Sequence, residues 1–185
     1  AQHTKNLCQD SRACITLSKE KKDDDKQNSQ RLTLMGDLKP INKSEKELVK
    51  PRFHKFLPDS KKYSALHDFD FYKLSHSKIR WIGGFGEIAW LKIKDWKPAK
   101  PAWINNEEGM LTHMNQDHSN VIFSALQAQH QRRDKKAKMI ALCIDGYFIK
   151  SRGKIFFISF DGICMNAKSY REMLIFQANQ YRKFE

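Results

Sequence analysis

Apolar residues recur at every second position in some stretches of this chain and at every third or fourth in others, and the pattern falls into two blocks. In the first block Gln2 to Gln9 reads as a short helix. Ala13 to Ser18 reads as a strand, with Cys14 and Thr16 on one face and Ile15 and Leu17 on the other. Gln30 to Leu38 returns to strand and is ended by Lys39-Pro40. Ser44 to Glu47 has capping-box spacing, so a helix is expected to start there, to break or kink at Pro51, and to be followed by a turn from Pro58 to Leu66. Phe69 to Ser75 is predicted as a strand, Ser75 to Lys78 as a turn, and Ile79 to Gly83 as the strand pairing back. Gly83, Gly84 and Gly86 then suit a bulge or barrel corner, or the close approach of a flat ligand.

The segment from Asp95 to Trp103 carries the two prolines of a semi-rigid linker. Beyond it, Asn105 or Asn106 caps a predicted helix running to about His130. Its apolar stripe is Leu111, Met114, His118, Val121, Ile122, Ala125 and Leu126. Strands are expected at Lys138 to Ile144, Tyr147 to Lys150 and Lys154 to Phe160, joined by turns at Asp145-Gly146 and Arg152-Gly153. A helix from Ala167 to Lys183 follows. The expected division is residues 1–96, a linker at 97–104, and a small α+β domain at 105–185.

At 185 residues, with 40% hydrophobic and 11% aromatic content, the chain can bury a real core. Its net charge is +13, but the excess is spread along the chain and no stretch reaches six like charges. A diffuse excess without a recognised motif argues for a solvated basic surface, and nucleic acid is not an expected partner. The charge-dense segment from Lys19 to Ser29 has no periodicity and reads as a solvated connection. Cys8, Cys14, Cys143 and Cys164 form no C-x-x-C pair, and Cys14 and Cys143 lie in apolar strand-like runs. Reduced core thiols are expected, hence a reducing cytoplasm. No window approaches the ~18 apolar residues of a membrane span, and the first residues lack a signal-peptide core, so no membrane association is expected. The chain starts without Met, which suggests that an upstream segment was removed or is not covered.

His113, Asp117 and His118 offer metal-ligand chemistry, but on one continuous helix His118 falls about 140° from His113, on the apolar stripe. His118 is therefore expected as a satisfied core histidine, Asn115 and Asp117 as residues fixing the helix against a loop, and no metal site is assigned. No nucleophile elbow, cysteine–histidine pairing, P-loop or dinucleotide fingerprint is present; Gly83 to Gly86 is expected within a strand and does not open a helix. His3, Thr4 and Lys5 at a helix start, with Arg31 on a facing strand, combine free amides, a hydroxyl, an ammonium and a guanidinium. These are groups that hold a phosphate, although a helix start with Thr and Lys, taken alone, is better accounted for by a capped surface helix.

Taken in order, the His3-Thr4-Lys5-Asn6-Leu7 helix start, the strand from Arg12, Arg31 to Gly36, Phe69 to Leu74, the Gly-Gly-Phe-Gly stretch leading to Leu91, and His113-Met-Asn-Gln-Asp-His118 resemble one family. It is the FMN-binding split barrel related to pyridoxamine 5'-phosphate oxidase, in the haem-utilisation branch of the HugZ type, which carries a small extra domain marked by the His-Met-Asn-x-Asp-His helix start. The resemblance implies an α+β fold: a partial split β-barrel followed by a small domain of helix, three-strand meander and helix. It also implies a homodimer with FMN, or alternatively haem, in a groove between two barrels. On that resemblance His3, Thr4 and Lys5 match residues that take the flavin phosphate, Arg31 matches a strand position facing the cofactor, and Gly84 and Phe85 line the groove. The implied activity is that of an FMN-dependent oxidoreductase or a haem-degrading oxygenase. The alternative is a non-catalytic haem-binding or regulatory protein of tetrapyrrole metabolism, a plan shared with the plant protein that binds glutamyl-tRNA reductase. Two departures accompany the resemblance: family members carry further strands before the His-Thr-Lys helix, and residues 167–185 contain no histidine to serve as an iron ligand.

Overall fold

The computed structural model describes residues 2–18, 29–63, 69–84, 86–96 and 99–184. They form two compact units, Ala1–Pro98 and Ala99–Glu185. The content matches the expected α+β class, a partial split β-barrel followed by a helical unit with a three-stranded sheet.

In the first unit, α1 (Gln2–Gln9) leads into an antiparallel sheet of four strands in chain order, β1 (Arg12–Ser18), β2 (Arg31–Pro40), β3 (Tyr72–Gly84) and β4 (Glu87–Leu91). Between β2 and β3 lie α2 (Lys43–Phe56) and a 3₁₀ turn, Pro58–Tyr63. After β4 comes the four-residue α3 (Ile93–Trp96).

Several local expectations are corrected here. Asn42, not Ser44, caps α2: its side chain accepts from the Glu45 amide at 2.9 Å, while the Ser44 hydroxyl donates to Asn42 at 2.7 Å. Pro51 lies inside α2 without ending it, because the cost is one missing amide donor in an exposed helix. The turn expected at Ser75 to Lys78 is absent, and β3 runs through it as one 13-residue strand. Its pairing with β2 slips between Met35 and Gly36, so Ser77 is accommodated as a bulge and the polar run stays in the ladder. Gly36 makes this possible, since a Cβ there would lie 2.1 Å from the Ser75 carbonyl oxygen. Gly83 to Gly86 is not strand throughout. β3 ends at Gly84, Gly86 adopts φ 81° in the turn, and β4 starts at Glu87.

In the second unit, a 3₁₀ turn (Ala102–Asn106) precedes α4 (Glu107–Asp117) and α5 (Ser119–His130). The meander β5 (Lys138–Cys143), β6 (Gly146–Ser151) and β7 (Lys154–Ser159) follows, then α6 (Ala167–Tyr181). Leu111, Met114, Ile122, Ala125 and Leu126 from the helices meet Met139, Leu142, Tyr147, Ile149 and Ile158 from the sheet in one buried cluster. Polar groups inside it are partnered. The Tyr170 hydroxyl donates to the Gly146 carbonyl at 2.7 Å, Trp103 Nε1 donates to the Cys164 carbonyl at 2.8 Å, and Tyr147 donates to buried Gln177 at 3.2 Å. Burial raises the pKa of the Tyr147 and Tyr170 hydroxyls well above the ordinary phenol range, so both stay protonated.

The cysteines are also less uniform than expected. Cys8 and Cys14 are exposed, Cys14 because β1 is an edge strand with little packed on it, whereas Cys143 is half-buried and Cys164 buried. Among the described residues no helix is long and apolar enough to cross a membrane.

Candidate functional site

Directly paired residues of an antiparallel sheet point to the same face, so register shows which side chains meet. Thr16 pairs with Thr33, Thr33 with Arg80, and Arg80 with Trp90, which makes one row across all four strands of the first unit. The side chains confirm it: the Thr16 and Thr33 hydroxyls lie 3.1 Å apart, and the Arg80 guanidinium carbon sits 6.0 Å from the Trp90 ring centroid. The next row on the same face is Ser18, Arg31, Ile82 and Ile88. Arg31 and Arg80 are therefore diagonal neighbours, both half-buried.

Arg80 is the residue with an unmet need. Its Nε is buried and has no hydrogen-bond partner among the described residues. A buried guanidinium donor without an acceptor is unfavourable in isolation and is satisfied by an oxyanion, which guanidinium geometry accepts through parallel N–H groups. Hydroxyls from Thr16 and Thr33 and the indole face of Trp90 complete a surface suited to a phosphate or carboxylate beside a flat apolar group. Trp90 is 60% exposed, so that face is open.

The residues expected from sequence fall in different places. His3 and Lys5 are exposed and Thr4 half-buried on α1. That helix joins the sheet at one end of β2, where the Ser11 carbonyl accepts from the Leu38 amide at 2.8 Å and Ser11 donates to Asp37 at 2.5 Å. Arg31 opens β2 at its other end. Gly84 closes β3, opposite Glu87 across the hairpin. Phe85 lies outside the described residues. Gly83 is the bulge residue of that hairpin, and a side chain there would run into the Trp81 ring at 2.2 Å and the Glu87 carboxylate at 2.4 Å. Protein atoms thus occupy the space at Gly83, which favours the bulge reading at that position.

Arg80, Thr33 and Trp90 were not singled out by sequence. The alternation from Lys78 to Ile82 does place Arg80 and Ile82 on one face, but only the bulge at Gly36 fixes which β2 residues they oppose.

A second constellation lies in the other unit. The helix expected to run unbroken to His130 is interrupted at His118, whose backbone (φ −131°, ψ 37°) ends α4 and precedes α5. The break swings the His118 ring off the apolar stripe, so His118 is half-buried and not a core histidine. His113 Nδ1 donates to Asp117 at 2.8 Å, which leaves its Nε2 to accept from His118 Nε2–H at 3.2 Å. Asn115 instead pins β5: its amide donates to the Met139 carbonyl and accepts from the Met139 amide, both at 2.9 Å. Among the described residues no group of three or more His, Cys, Asp or Glu side chains is arranged to hold a metal ion.

No curated protein matches the chain. Among solved structures, the protein Atu2129 of Agrobacterium tumefaciens, of unknown function, is 20% identical over 96% of this chain and 74% of its own, with a TM-score of 0.72. A haem-binding protein from Mycobacterium smegmatis is 19% identical over 99% of this chain and 78% of its own, with a TM-score of 0.50. At these identities the likeness is one of fold. The family model for the CREG β-barrel matches residues 1–98, the whole four-stranded sheet included, and the chain belongs to the CREG β-barrel family of the FMN-binding split-barrel superfamily.

Proposed function

We propose that this protein is an FMN-binding split-barrel flavoprotein of oxidoreductase type, related to the haem-utilisation proteins of the HugZ branch and working as a homodimer. The observation that carries the reading is Arg80: a buried guanidinium N–H without an acceptor, in line with two threonine hydroxyls and an exposed tryptophan face on a split-barrel sheet. That surface suits an anionic cofactor with a flat ring. Arg80 and Arg31 hold the negative group, Thr16 and Thr33 add neutral hydrogen bonds, and Trp90 offers a ring to lie against. His3, Thr4 and Lys5, with Gly84 and Phe85, belong to the same proposal as phosphate-holding and groove-lining residues. Bound FMN supplies hydride and electron transfer, and the protein supplies position and charge.

The homodimer is supported by what the first unit leaves uncovered. Ile15, Leu17, Ile88 and Trp90 are 45–60% exposed, and β1 and β4 are edge strands of the sheet. Ile88 and Trp90 lie on the Arg80 face and Ile15 and Leu17 on the opposite one, so a second copy seated on the Arg80 face would cover the first pair and complete a site that one chain leaves open.

The absorbance spectrum of the purified protein tests this directly. Flavin bands, or saturable FMN uptake that weakens about tenfold in Arg80→Gln, are expected for the loss of one charge-assisted contact. A colourless protein that takes up no FMN on titration defeats the reading. Haem binding without turnover, in a regulatory role in tetrapyrrole metabolism, is the second reading. It is favoured by the fit of the same arginines to propionate groups and by a fold shared with a haem-binding protein. A Soret band in place of flavin bands selects it.

A further inference from the structure

A concavity of about 620 Å³ in the second unit is lined by His130, Gln131, Arg132, Arg133, Ser151 and Arg152. Three arginines line it because the chain leaving α5 meets the tip of the β6–β7 hairpin: Arg152 donates to the Arg133 carbonyl at 3.3 Å, and Arg133 Nε donates to Gln127 at 3.2 Å. Among the described residues none of the three forms an ion pair. The one nearby carboxylate, Asp134, is engaged by the Ser151 hydroxyl at 2.6 Å and the Lys136 amide at 3.0 Å. Asp134 also interacts electrostatically with Arg152, so one carboxylate offsets part of a cluster of three like charges, and the fold keeps the remaining excess together.

The backbone supplies an independent observation. Among the described residues two non-glycine residues have left-handed backbone, Gln131 at φ 54° and Arg152 at φ 46°, and both line this concavity. Arg152-Gly153 is the two-residue loop of a tight hairpin with positive φ at both positions, where Asn or Asp followed by Gly is the relaxed choice. An arginine at that position accepts backbone strain and sets a guanidinium at the mouth of the cavity. Gln131 is the left-handed cap that ends α5, whereas the strain at Arg152, on a residue that adds charge to a site already rich in it, points to a ligand. Two lining residues are also held by contacts of their own: Arg132 lies 5.1 Å above the Phe156 ring and His130 packs on the same ring at 5.2 Å, with His130 Nε2 donating to the Phe157 carbonyl at 2.7 Å. The aromatic contact holds Arg132 in place.

We infer that this concavity is a binding site for a compact polyanion carrying adjacent phosphates, of the pyrophosphate type. Three arginines around one cavity match closely spaced phosphate oxygens, whereas a nucleic-acid strand calls for a longer basic track. The inference is independent of the flavin reading, since every residue it uses lies in the second unit.

The test is titration calorimetry of the full chain with inorganic pyrophosphate, against sodium chloride at matched ionic strength. Saturable binding is expected for pyrophosphate and not for chloride. Arg152→Asn is the informative variant because asparagine suits the turn. It is expected to bind pyrophosphate about tenfold more weakly while its thermal midpoint stays level or rises, and Arg132→Gln is expected to lose affinity as well. Binding no different from chloride, or unchanged affinity in Arg152→Asn, overturns the site. Steeply salt-dependent binding of a single-stranded oligonucleotide without binding of pyrophosphate overturns it in favour of a nucleic-acid surface.

Discussion

The two units differ in how they account for their own apolar surface. In the second, helices cover the meander, and the buried set runs from Trp103 to Leu174 with its tyrosine hydroxyls and tryptophan N–H partnered. In the first, Ile79 is the one fully buried apolar side chain among the described residues, while Ile15, Leu17, Ile88, Trp90 and Leu91 face outward from the sheet. A self-sufficient core is a sign of a unit that folds for its own stability. A well-ordered ladder with apolar side chains left outside offers surface of the kind that the proposed homodimer and cofactor would cover.

Paired truncations in the two units would break that comparison most sharply. Ile149→Ala, at a fully buried position, is expected to cost about 2–5 kcal/mol in urea unfolding, whereas Leu17→Ala, at a position 57% exposed, should cost the isolated chain less than about 1 kcal/mol. Equal costs would mean that the first unit has a core of its own. A backbone change should reveal a sensitivity that side-chain truncation in the first unit does not. Gly36→Ala places a Cβ 2.1 Å from the Ser75 carbonyl oxygen and should lose about 1–3 kcal/mol, because the first unit depends on strand register more than on packing. A neutral result would show that the bulge shifts freely. The smallest effect is electrostatic. The Ser151 hydroxyl, then the Lys136 amide, hold the Asp134 carboxyl below the usual carboxylate range. Its folded value is depressed, so its contribution is present above the unfolded value and is lost as pH falls through the folded one. Acid titration of stability should therefore be shallower in Asp134→Asn than in the parent, and superimposable curves would assign that residue no role.

The same contrast explains what the sequence discloses. The second unit's meander and final helix are readable because Asp145-Gly146 and Arg152-Gly153 punctuate strands that a single core fixes in register. The first unit's strands are readable as strands, but Ser75-His-Ser-Lys78 imitates a turn, and only the bulge opposite Gly36 shows that it remains in the ladder. The partnership of Arg80 with Thr33 depends on that register, so no local pattern reveals it. At His118 the reverse holds: a continuous helical pattern conceals a break that carries the ring from the apolar stripe toward His113. Arg31 stood out as a charged residue opening a strand, whereas its neighbour on the same face came from a strand some fifty positions away.

The central claim, that a second copy completes the first unit's sheet, is tested most directly by the mass of the particle in solution. Sedimentation equilibrium of the full chain at micromolar concentration should return twice the 21.8 kDa of one chain, and Ile88→Asp, on the Arg80 face, should shift the equilibrium toward the single chain. A particle of 21.8 kDa throughout that range would contradict the account.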